Sequence, residues 1–456
     1  MHTSALLRLV ASSATAALLS SCTAQPRLEG LAPTRHPLPP GFELAFNHRD
    51  NARYRSPITG QWRRGDDLEA LVLQSIDRAD RQILVAVQEL SLPRVAESLV
   101  RKHRQGIDVK VVLENTYSTP WSLQHDADLS PHLRHRNKQL RQLGWGDAVL
   151  ILQRGGVPML DDTADGSAGS GLMHHKFMVI DGKTVITGSA NFTPSCIHGD
   201  PEDPRTRGNV NHLMRIHSAT LAEVFSAEFA RLWGDGPGGA SDSRFGVAKE
   251  EPGPQQVQVG STKVHVLFAP HRRDDPHHGL AWLEHVLAAS RRRLDLSLFV
   301  FSAQNLANQL QQLQAKGVNV RLLADPGFSN RNFSETLDLL GAAMPDRNCK
   351  LEANNNAWTQ KLQTVGTPRL RPGDKLHHKF AVIDNQRVIT GSFNWSPSAA
   401  HQNDETLLVI DSPLLAAHFS AEMNQLWRGA ELGVTPRLQR KLERQRLRCG
   451  SGERRG

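Results

Sequence analysis

The sequence predicts an α/β fold of two halves related by a pseudo-twofold axis, each half a mostly parallel β-sheet flanked by helices. The first observation behind this prediction is an internal repeat, in which residues 79–91 parallel 290–302 and residues 106–113 parallel 317–324. Each copy has an apolar run, a helical segment, a glycine and a second apolar run, which is the pattern of a βαβ unit with buried strands. The second observation is a short polar motif that occurs once in each half.

The first residues predict an export signal. Residues 1–21 contain one cation, Arg8, no acidic residue and an Ala/Leu-rich run that ends in Leu-Ser-Ser before Cys22. This ending resembles the bacterial lipoprotein box, which implies that Cys22 is lipidated; an ordinary signal peptide with an incidental cysteine is the alternative. Thr23, rather than Asp, follows the cysteine. By resemblance to Gram-negative lipoproteins, this implies a lipid-anchored protein at the outer membrane of the bacterial cell envelope.

Composition and charge indicate which kinds of molecule the protein could bind. No later apolar run is long enough to cross a bilayer, so the folded body is expected to be soluble and held at the phospholipid bilayer through lipidated Cys22. The net charge of +8 and a pI near 9.5 favour contact with phosphate, in lipid headgroups or in nucleic acid, although genomic base composition also enriches arginine. Cys196, Cys349 and Cys449 allow at most one internal disulfide, and no disulfide framework is expected.

Composition also predicts the boundaries of the domains. Residues 22–245 form the N-terminal half, a Gly/Pro-containing linker occupies 246–262, and residues 263–434 form the C-terminal half. The last segment, 435–456, is strongly basic and is expected to be a solvated helical tail; a segment that touches anionic lipid or nucleic acid is the alternative.

The motif in each half reads His-x-Lys-x4-Asp and is followed at a fixed distance by Gly-Ser-x-Asn. The two copies start 203 positions apart. Their residues are His174, Lys176, Asp181, Ser189 and Asn191 in the first half, and His377, Lys379, Asp384, Ser392 and Asn394 in the second. One such motif alone would be weak, but two copies with matching tails are a specific signal.

Each motif is predicted to form a β-hairpin, because apolar residues follow the lysine and a second β-rich run follows the aspartate. Strand alternation places the first histidine and the lysine on one face. Asp181 and Asp384 complete the catalytic motif, but they have the opposite parity and lie at the turn, which favours a structural role over indirect help in catalysis. The middle residues, His175 and His378, point to the other face as packing or surface histidines.

The paired residues suit displacement at a phosphodiester, which builds negative charge on the non-bridging oxygens. Lys176 and Lys379 could stabilise this charge, and hydrogen bonds from Asn191, Asn394, Ser189 and Ser392 could bind the phosphate. One histidine could attack phosphorus while the other protonates the leaving oxygen. No cofactor is expected and no metal-ligand cluster is evident.

The duplicated motif resembles that of the phospholipase D superfamily, over residues 42–433. The resemblance implies a covalent phosphohistidine that water hydrolyses or an alcohol intercepts. It also implies that a post-motif carboxylate, here Glu405, orients the histidine of its own half, His377, which would then suit the role of acid and leave His174 as the nucleophile. The first half has Asn211 at that position, so another group, such as Asp200, Glu202 or Asp203, could orient His174.

Two polar excursions in the first half are expected to form loops at the mouth of the site, from Ser118 to Leu140 and from Asp161 to Ser170. Within the second, Asp161 and Asp162 either line the entrance or cap a turn.

The motifs leave the substrate open, because members of the superfamily share one doubled site. The first hypothesis is a monomeric phospholipase D that releases phosphatidic acid, since a lipid anchor would raise the local concentration of headgroups. The alternative is a metal-independent endonuclease or nucleic-acid phosphodiesterase, because the excess of basic residues suits a nucleic-acid substrate. A scaffold that binds phosphate without turnover is a third class, against which the intact motifs argue.

Overall fold

The computed structural model describes residues 36–167, 171–200, 203, 205–250 and 252–450. The predicted signal peptide, Cys22, Glu202 and residues 451–456 of the basic tail lie outside this part of the chain.

The elements of the first half precede Asp235. They are β1 (Phe42–Phe46), β2 (Arg53–Arg55), β3 (Trp62–Arg64), α1 (Leu68–Asp77), β4 (Gln82–Val87), α2 (Pro93–Arg104), β5 (Asp108–Leu113), α3 (Pro131–Gln142), α4 (Ala148–Arg154), β6 (Met159–Asp161), β7 (Lys176–Ile180), β8 (Thr184–Gly188), α5 (Pro194–Ile197), β9 (His212–His217) and α6 (Ala219–Trp233).

The second half repeats this order with additions at both ends. Its elements are β10 (Gln255–Val259), β11 (Thr262–Ala269), α7 (Gly279–Ala288), β12 (Arg293–Leu298), α8 (Gln304–Ala315), β13 (Asn319–Ala324), α9 (Glu335–Leu339), β14 (Val365–Thr367), β15 (Lys379–Ile383), β16 (Arg387–Gly391), α10 (Pro397–His401), β17 (Glu405–Asp411), α11 (Pro413–Trp427), β18 (Glu431–Leu432) and α12 (Pro436–Cys449).

Each half is built on one large sheet, which confirms the α/β fold class. The sheet of the first half has the order β1-β9-β8-β7-β4-β5-β6, and that of the second half has the order β10-β11-β17-β16-β15-β12-β13-β14-β18. The expectation of mostly parallel sheets was wrong. Only the βαβ units pair in parallel, β4-β5-β6 in one sheet and β12-β13-β14 in the other, whereas the motif hairpins and the outer strands pair antiparallel.

The predicted βαβ units and hairpins are present. Helices α2 and α8 end just before Gly106 and Gly317, whose φ angles of 86° and 85° favour glycine. The turn of the first hairpin has positive φ at Asp181 and Gly182, and the second has positive φ at Asp384 and Asn385, as a two-residue type I′ turn requires. Glycine, aspartate and asparagine adopt this conformation at the lowest cost.

Strand alternation divides the core into three layers. In β7, Phe177 and Val179 face a core shared by the two sheets, whereas Met178 and Ile180 face the outer core of the first half. β15 repeats the pattern, with Phe380 and its neighbours in the shared core. Helices α6 and α11 supply further apolar side chains to the shared core, so the two halves are packed through a continuous hydrophobic interior.

Two predicted boundaries differ from the structure. The 246–262 linker contains strand β10, which pairs with β11 and extends the second sheet. Within the basic segment 435–456, Pro436–Cys449 form helix α12, and this helix is not simply solvated. Leu438 is buried in the outer core of the second half, and a disulfide joins Cys349 to Cys449. This bond is the one that the cysteine count allowed, and Cys196 is a buried free thiol.

Among the described residues, no helix combines the length and hydrophobicity that a membrane span requires.

We expect the Cys349–Cys449 disulfide to stabilise the second half. The bond closes a loop with a sequence separation of 100 residues, and a disulfide of this kind contributes about 2–4 kcal/mol, largely by restricting the unfolded chain. Cys449→Ser should lower the free energy of unfolding in guanidinium by about that amount. Wild type in reductant should match the variant, and Cys196→Ser is the control for thiol loss. Equal stability of oxidised wild type and Cys449→Ser would contradict this prediction.

Candidate active site

The two motif histidines lie at the seam between the halves, and each is held by a residue of the opposite half. His174 Nδ1 is 2.8 Å from a carboxylate oxygen of Glu405. His377 Nδ1 is 3.0 Å from Asn211 Oδ1 and 3.1 Å from the carbonyl oxygen of Ser189. The expectation that Glu405 orients His377, the histidine of its own half, was therefore wrong. Glu405 orients His174, and Asn211 orients His377.

Backbone pairing between the halves explains the crosswise arrangement. Met173 forms a parallel β-bridge with Asp404, and Leu376 forms the equivalent bridge with Val210. The backbone N–H of His174 donates to Asp404 O at 3.0 Å, and that of His377 donates to Val210 O at 3.1 Å. Each histidine is thus next to a residue of the other half, and the following residue in that half reaches its ring.

The motif serines support these partners rather than a phosphate. Ser392 Oγ donates to Glu405 Oε2 at 2.5 Å, and Ser189 Oγ donates to Asn211 Oδ1 at 2.8 Å. Both serines are fully buried, and each also accepts a backbone N–H from β17 or β9. Because a hydroxyl has only one proton to donate, the assignment of Ser189 and Ser392 as phosphate-binding residues was wrong.

The motif lysines are buried with few partners. Lys176 Nζ donates to His174 O at 2.7 Å, and Lys379 Nζ donates to His377 O at 2.7 Å. Burial lowers the pKa of Lys176 to about 8. Burial also lowers the pKa of Lys379 well below its ordinary value, and the charge of Lys176 lowers it further. Two close ammonium groups in a water-poor site favour an anion between them.

The walls beside the lysines differ between the halves. Gln88 Oε1 accepts from Asn191 Nδ2 at 3.1 Å and lies 3.5 Å from Lys176 Nζ. The equivalent position is Phe299, whose ring lies 4.8 Å from Lys379 Nζ and 4.6 Å from the ring of His377. Sequence reasoning missed both residues, although the internal repeat aligns them at the ends of β4 and β12.

The motif asparagines remain available for a phosphate. Asn191 lines the cavity described below, and its Nδ2 has two protons to donate, of which Gln88 Oε1 accepts one. Asn394 Oδ1 is buried without a hydrogen-bond partner in the part of the chain that the structure describes. Binding of a phosphate oxygen by these amides stays a prediction.

The surroundings of both histidines favour the neutral imidazole. Burial lowers the pKa of His174 well below the ordinary imidazole value, and the charges of Lys176 and Lys379 lower it further. The pKa of His377 is lowered in the same way. Since each Nδ1 faces an acceptor, the proton of the neutral ring lies on Nδ1. Neither Nε2 has a hydrogen-bond partner among the described residues, which leaves each Nε2 lone pair free to react.

Asp181 and Asp384 hold the hairpins in place and do not contact the other motif residues. The carboxylate of Asp181 accepts the backbone N–H groups of residues 80–82, and that of Asp384 accepts those of residues 291–293. Each aspartate therefore ties its hairpin turn to the start of the neighbouring strand. Their grouping with the catalytic residues was wrong, and the parity argument explains why: these side chains lie at the far end of the strand.

The middle histidines point into the shared core and are fully buried. His175 contacts Glu228 and Thr406, each at 2.9 Å. His378 contacts His212 at 3.1 Å and Glu422 at 3.3 Å. They are packing residues rather than surface residues. Nothing in the sequence marks Glu228, His212 or Glu422 as partners, because they lie on other strands and helices.

A cavity of about 460 Å³ opens beside His377, Asn191 and Phe299. The excursion from Ser118 to Leu140 covers it through helix α3, as expected for a mouth segment. Arg136 of α3 lies 3.1 Å from Glu89 at the end of β4, which fixes the helix over the cavity.

The described residues of the second excursion, 161–167, are not among those that line this cavity, and a place at the mouth of the site stays a prediction. Its residues 168–170 lie outside the described part of the chain. Asp161 accepts the N–H of Thr163 and caps a turn, and Asp162 accepts the N–H of Met173, which braces the approach to His174. His174 Nδ1 is held by Glu405, so the expectation that Asp200 or Asp203 orients it was wrong. Asp203 pairs with Arg205 instead. Within the described ranges, no cluster of three or more acidic, histidine or cysteine side chains could hold a metal ion.

The chain is similar in sequence to several named proteins over about a third of its length. The chain is 31% identical over 150 residues to a human protein named mitochondrial cardiolipin hydrolase, covering 32% of this chain and 50% of the relative. It is 28% identical over 159 residues to a protein named phospholipase D from Rickettsia bellii, covering 35% of this chain and 66% of the relative. The chain therefore spans about half the length of the cardiolipin hydrolases that it matches.

A solved structure shares the fold over nearly the whole chain. Phosphatidylserine synthase from Haemophilus influenzae superposes with a TM-score of 0.55 over 91% of this chain and 94% of the other, at 13% sequence identity. The family described as "Cardiolipin synthase, PLD-like domain" matches residues 72–233 and 283–427. These two ranges contain both motifs and make up more than half of the sequence. The chain therefore belongs to this family of the phospholipase D superfamily.

Proposed function

We propose that this protein is a metal-independent phosphodiesterase of phospholipase D type that acts on phospholipids. It breaks the headgroup phosphodiester through a phosphohistidine and releases the headgroup alcohol. The phosphatidyl group then passes to water, which gives phosphatidic acid, or to another alcohol. The observation that carries the proposal is the pair of histidines, each fixed at Nδ1 by the opposite half, beside two buried lysines. The names of the relatives support a lipid substrate, and a covered cavity of about 460 Å³ suits a headgroup.

His174 is the nucleophile in this proposal, for a different reason from the one that the sequence suggested. Its Nδ1–H donates to the Glu405 carboxylate, which makes Nε2 more nucleophilic and offsets the positive charge of the phosphorylated ring. His377 has only neutral acceptors, Asn211 Oδ1 and Ser189 O, so its imidazolium gives up a proton more readily. The anionic substrate compensates for burial and allows His377 to enter the reaction protonated.

The reaction proceeds in two displacements. His174 Nε2 forms a bond to phosphorus while the bond to the leaving oxygen breaks, and that oxygen takes the Nε2 proton of His377. Water, or an alcohol, then attacks phosphorus as His377 Nε2 takes its proton, and the bond to His174 breaks. Lys176 and Lys379 balance the charge that develops on the phosphoryl oxygens in both steps.

A nucleic-acid phosphodiester is the second candidate substrate, supported by the net charge of +8. The full-length protein incubated with mixed phospholipid vesicles, ethanol and single-stranded DNA in excess chelator separates the two candidates. We expect phosphatidic acid and phosphatidylethanol by mass spectrometry, with intact DNA. Shortened DNA with intact lipid would establish the nuclease alternative, and loss of all activity in chelator would overturn metal independence. The His174→Ala variant is the control for contaminating enzymes.

The two histidines should differ in their response to the leaving group. We expect His174→Ala to lower kcat by about four orders of magnitude or more, because no nucleophile remains. His377→Ala should lower kcat by about 10²- to 10⁴-fold on phospholipid, the usual contribution of a general acid. A p-nitrophenyl phosphodiester, whose leaving group needs no proton, should recover turnover of the first step in His377→Ala but not in His174→Ala. In that variant the phosphoryl adduct should accumulate on His174, and an adduct on His377 in wild type would reverse the roles.

The pH dependence of turnover should follow the ionisation of Glu405, the carboxylate that holds His174. Burial raises the pKa of Glu405 to about 7, so its ionised fraction rises as the pH increases through about 7. With the anionic substrate bound and His377 protonated, kcat should rise with that fraction. At higher pH, kcat should fall as His377 and the buried lysines lose their protons, Lys176 from about 8. Glu405→Gln should lower kcat and remove the rising limb.

Glu422 provides a matched control for this profile. Burial also raises its pKa to about 7, but it contacts His378 in the shared core and not the reacting histidines. Glu422→Gln should therefore keep the rising limb. A limb near pH 7 that persists in Glu405→Gln, or disappears in Glu422→Gln, would contradict the role given to Glu405.

A further inference from the structure

A second cleft, of about 850 Å³, lies at the seam between the halves and is rich in arginine. It is lined from the first half by β3 and the segment before β9, and from the second half by residues 368–374 and the end of α11. Its six guanidinium side chains are Arg64, Arg205, Arg207, Arg369, Arg371 and Arg428. None of these residues belongs to the motifs, and only the packing of the two halves brings them together.

The positive charge of the cleft exceeds the negative charge that lines it. The lining carboxylates are Asp50 and Asp374. Asp50 pairs with Arg207 at 3.0 Å and with Arg428 at 2.9 Å, which joins the two halves across the cleft. Burial raises the pKa of Asp374 to about 6, which weakens it as a counter-charge under mildly acidic conditions.

Three of the arginines are available to a ligand. The side chains of Arg64, Arg369 and Arg371 are exposed, and they donate no hydrogen bond to another described residue. The planar guanidinium group is the side chain that matches the oxygens of a phosphate best, because it donates two parallel hydrogen bonds. The chemistry of the cleft is therefore that of a site for phosphate groups.

The cleft adjoins the catalytic cavity. Asp374 lines both, and the neighbouring residues Gly373 and Lys375 line the catalytic cavity just before the second motif. A phosphate held in the cleft and one held at the histidines therefore lie on two sides of a single chain segment. A surface that carries many phosphates, such as a bilayer, could occupy both at once.

Two observations favour a bilayer as the source of these phosphates. Trp62, at the rim of the cleft, is 63% exposed and lies under the guanidinium of Arg53. Tryptophan is the residue type that concentrates at the headgroup level of membranes. The second observation is where the N-terminal segment joins the fold. His36 and Pro37 contact His418 on α11, about two helical turns before Gln425 at the cleft. A lipid anchor at Cys22, as the sequence predicts, would therefore be attached on the side of the cleft.

We propose that the arginine cleft binds the phosphates of anionic phospholipid headgroups and thereby docks the catalytic cavity on the bilayer. The proposal rests on the proposed function only in taking the catalytic cavity to receive a phospholipid. It assigns the cleft a binding role, separate from the residues that react.

The test compares two charge reversals of equal size. Arg369→Glu/Arg371→Glu reverses the charge of two of the three free arginines of the cleft. Arg440→Glu/Arg444→Glu changes the exposed face of α12, which is the rival basic surface. Both are made in the full-length chain carrying His174→Ala, so that no turnover alters the vesicles. Binding is measured by co-sedimentation with phosphatidylcholine vesicles and with phosphatidylcholine and phosphatidylglycerol in a three-to-one ratio. Thermal unfolding checks that each variant is folded.

We expect stronger binding to the anionic vesicles than to the neutral ones, because the net negative charge of phosphatidylglycerol adds to the attraction of the arginines. The cleft reversal should weaken anionic binding at least about 30-fold, because each basic residue near the surface contributes roughly fivefold. The α12 reversal should change it less than about twofold.

Other outcomes would overturn the proposal. Equal binding to the two vesicles, or loss only in the α12 variant, would exclude the cleft as the headgroup site. Binding of a single-stranded oligonucleotide that the cleft reversal abolishes, with vesicle binding unchanged, would assign the cleft to nucleic acid. Failure of the proposed function would appear differently, as absent lipid turnover in the chain with His174 intact while cleft-dependent vesicle binding persists.

Discussion

The two backbone bridges across the seam are the constraint on which the site depends. Met173 with Asp404, and Leu376 with Val210, place the start of each motif beside the post-motif strand of the other half. As a result, neither half contains a complete site. Each histidine needs the partner half to hold its Nδ1, and the shared hydrophobic core between the sheets keeps the two halves in register. A change that loosens this core should therefore affect both histidines at once.

Exchange of partners across the seam makes a nearly symmetric site chemically asymmetric. One histidine has a buried carboxylate and the other has an amide, although both sit on equivalent hairpins. The walls differ in the same sense, with Gln88 beside Lys176 and Phe299 beside Lys379. Two histidines with equal surroundings would titrate alike, whereas unequal surroundings separate a nucleophile from an acid. The duplicated fold thus supplies the frame, and a few substitutions divide the roles.

The seam also brings together residues that have no part in the motifs. The arginine cleft continues the seam beyond the catalytic cavity, and Asp374 contacts both. Helix α12 and its disulfide lie on the outer face of the second half, where they stabilise the fold without approaching the histidines. The basic charge of the chain is therefore divided between a tail helix and a concave site between the halves, which net charge alone cannot distinguish.

The sequence by itself determined the features that depend on local pattern. The apolar runs with their glycines identified the βαβ units, and the motifs identified the hairpins and the positions of His174 and His377. Strand parity separated these residues from Asp181 and Asp384, because alternation is a property of the backbone. The tertiary structure decided which side chains meet across the seam. The partners of His174, the partners of His377 and the gathering of the arginines all join segments far apart in the chain. Their distances depend on how two sheets pack, and no local pattern encodes that packing.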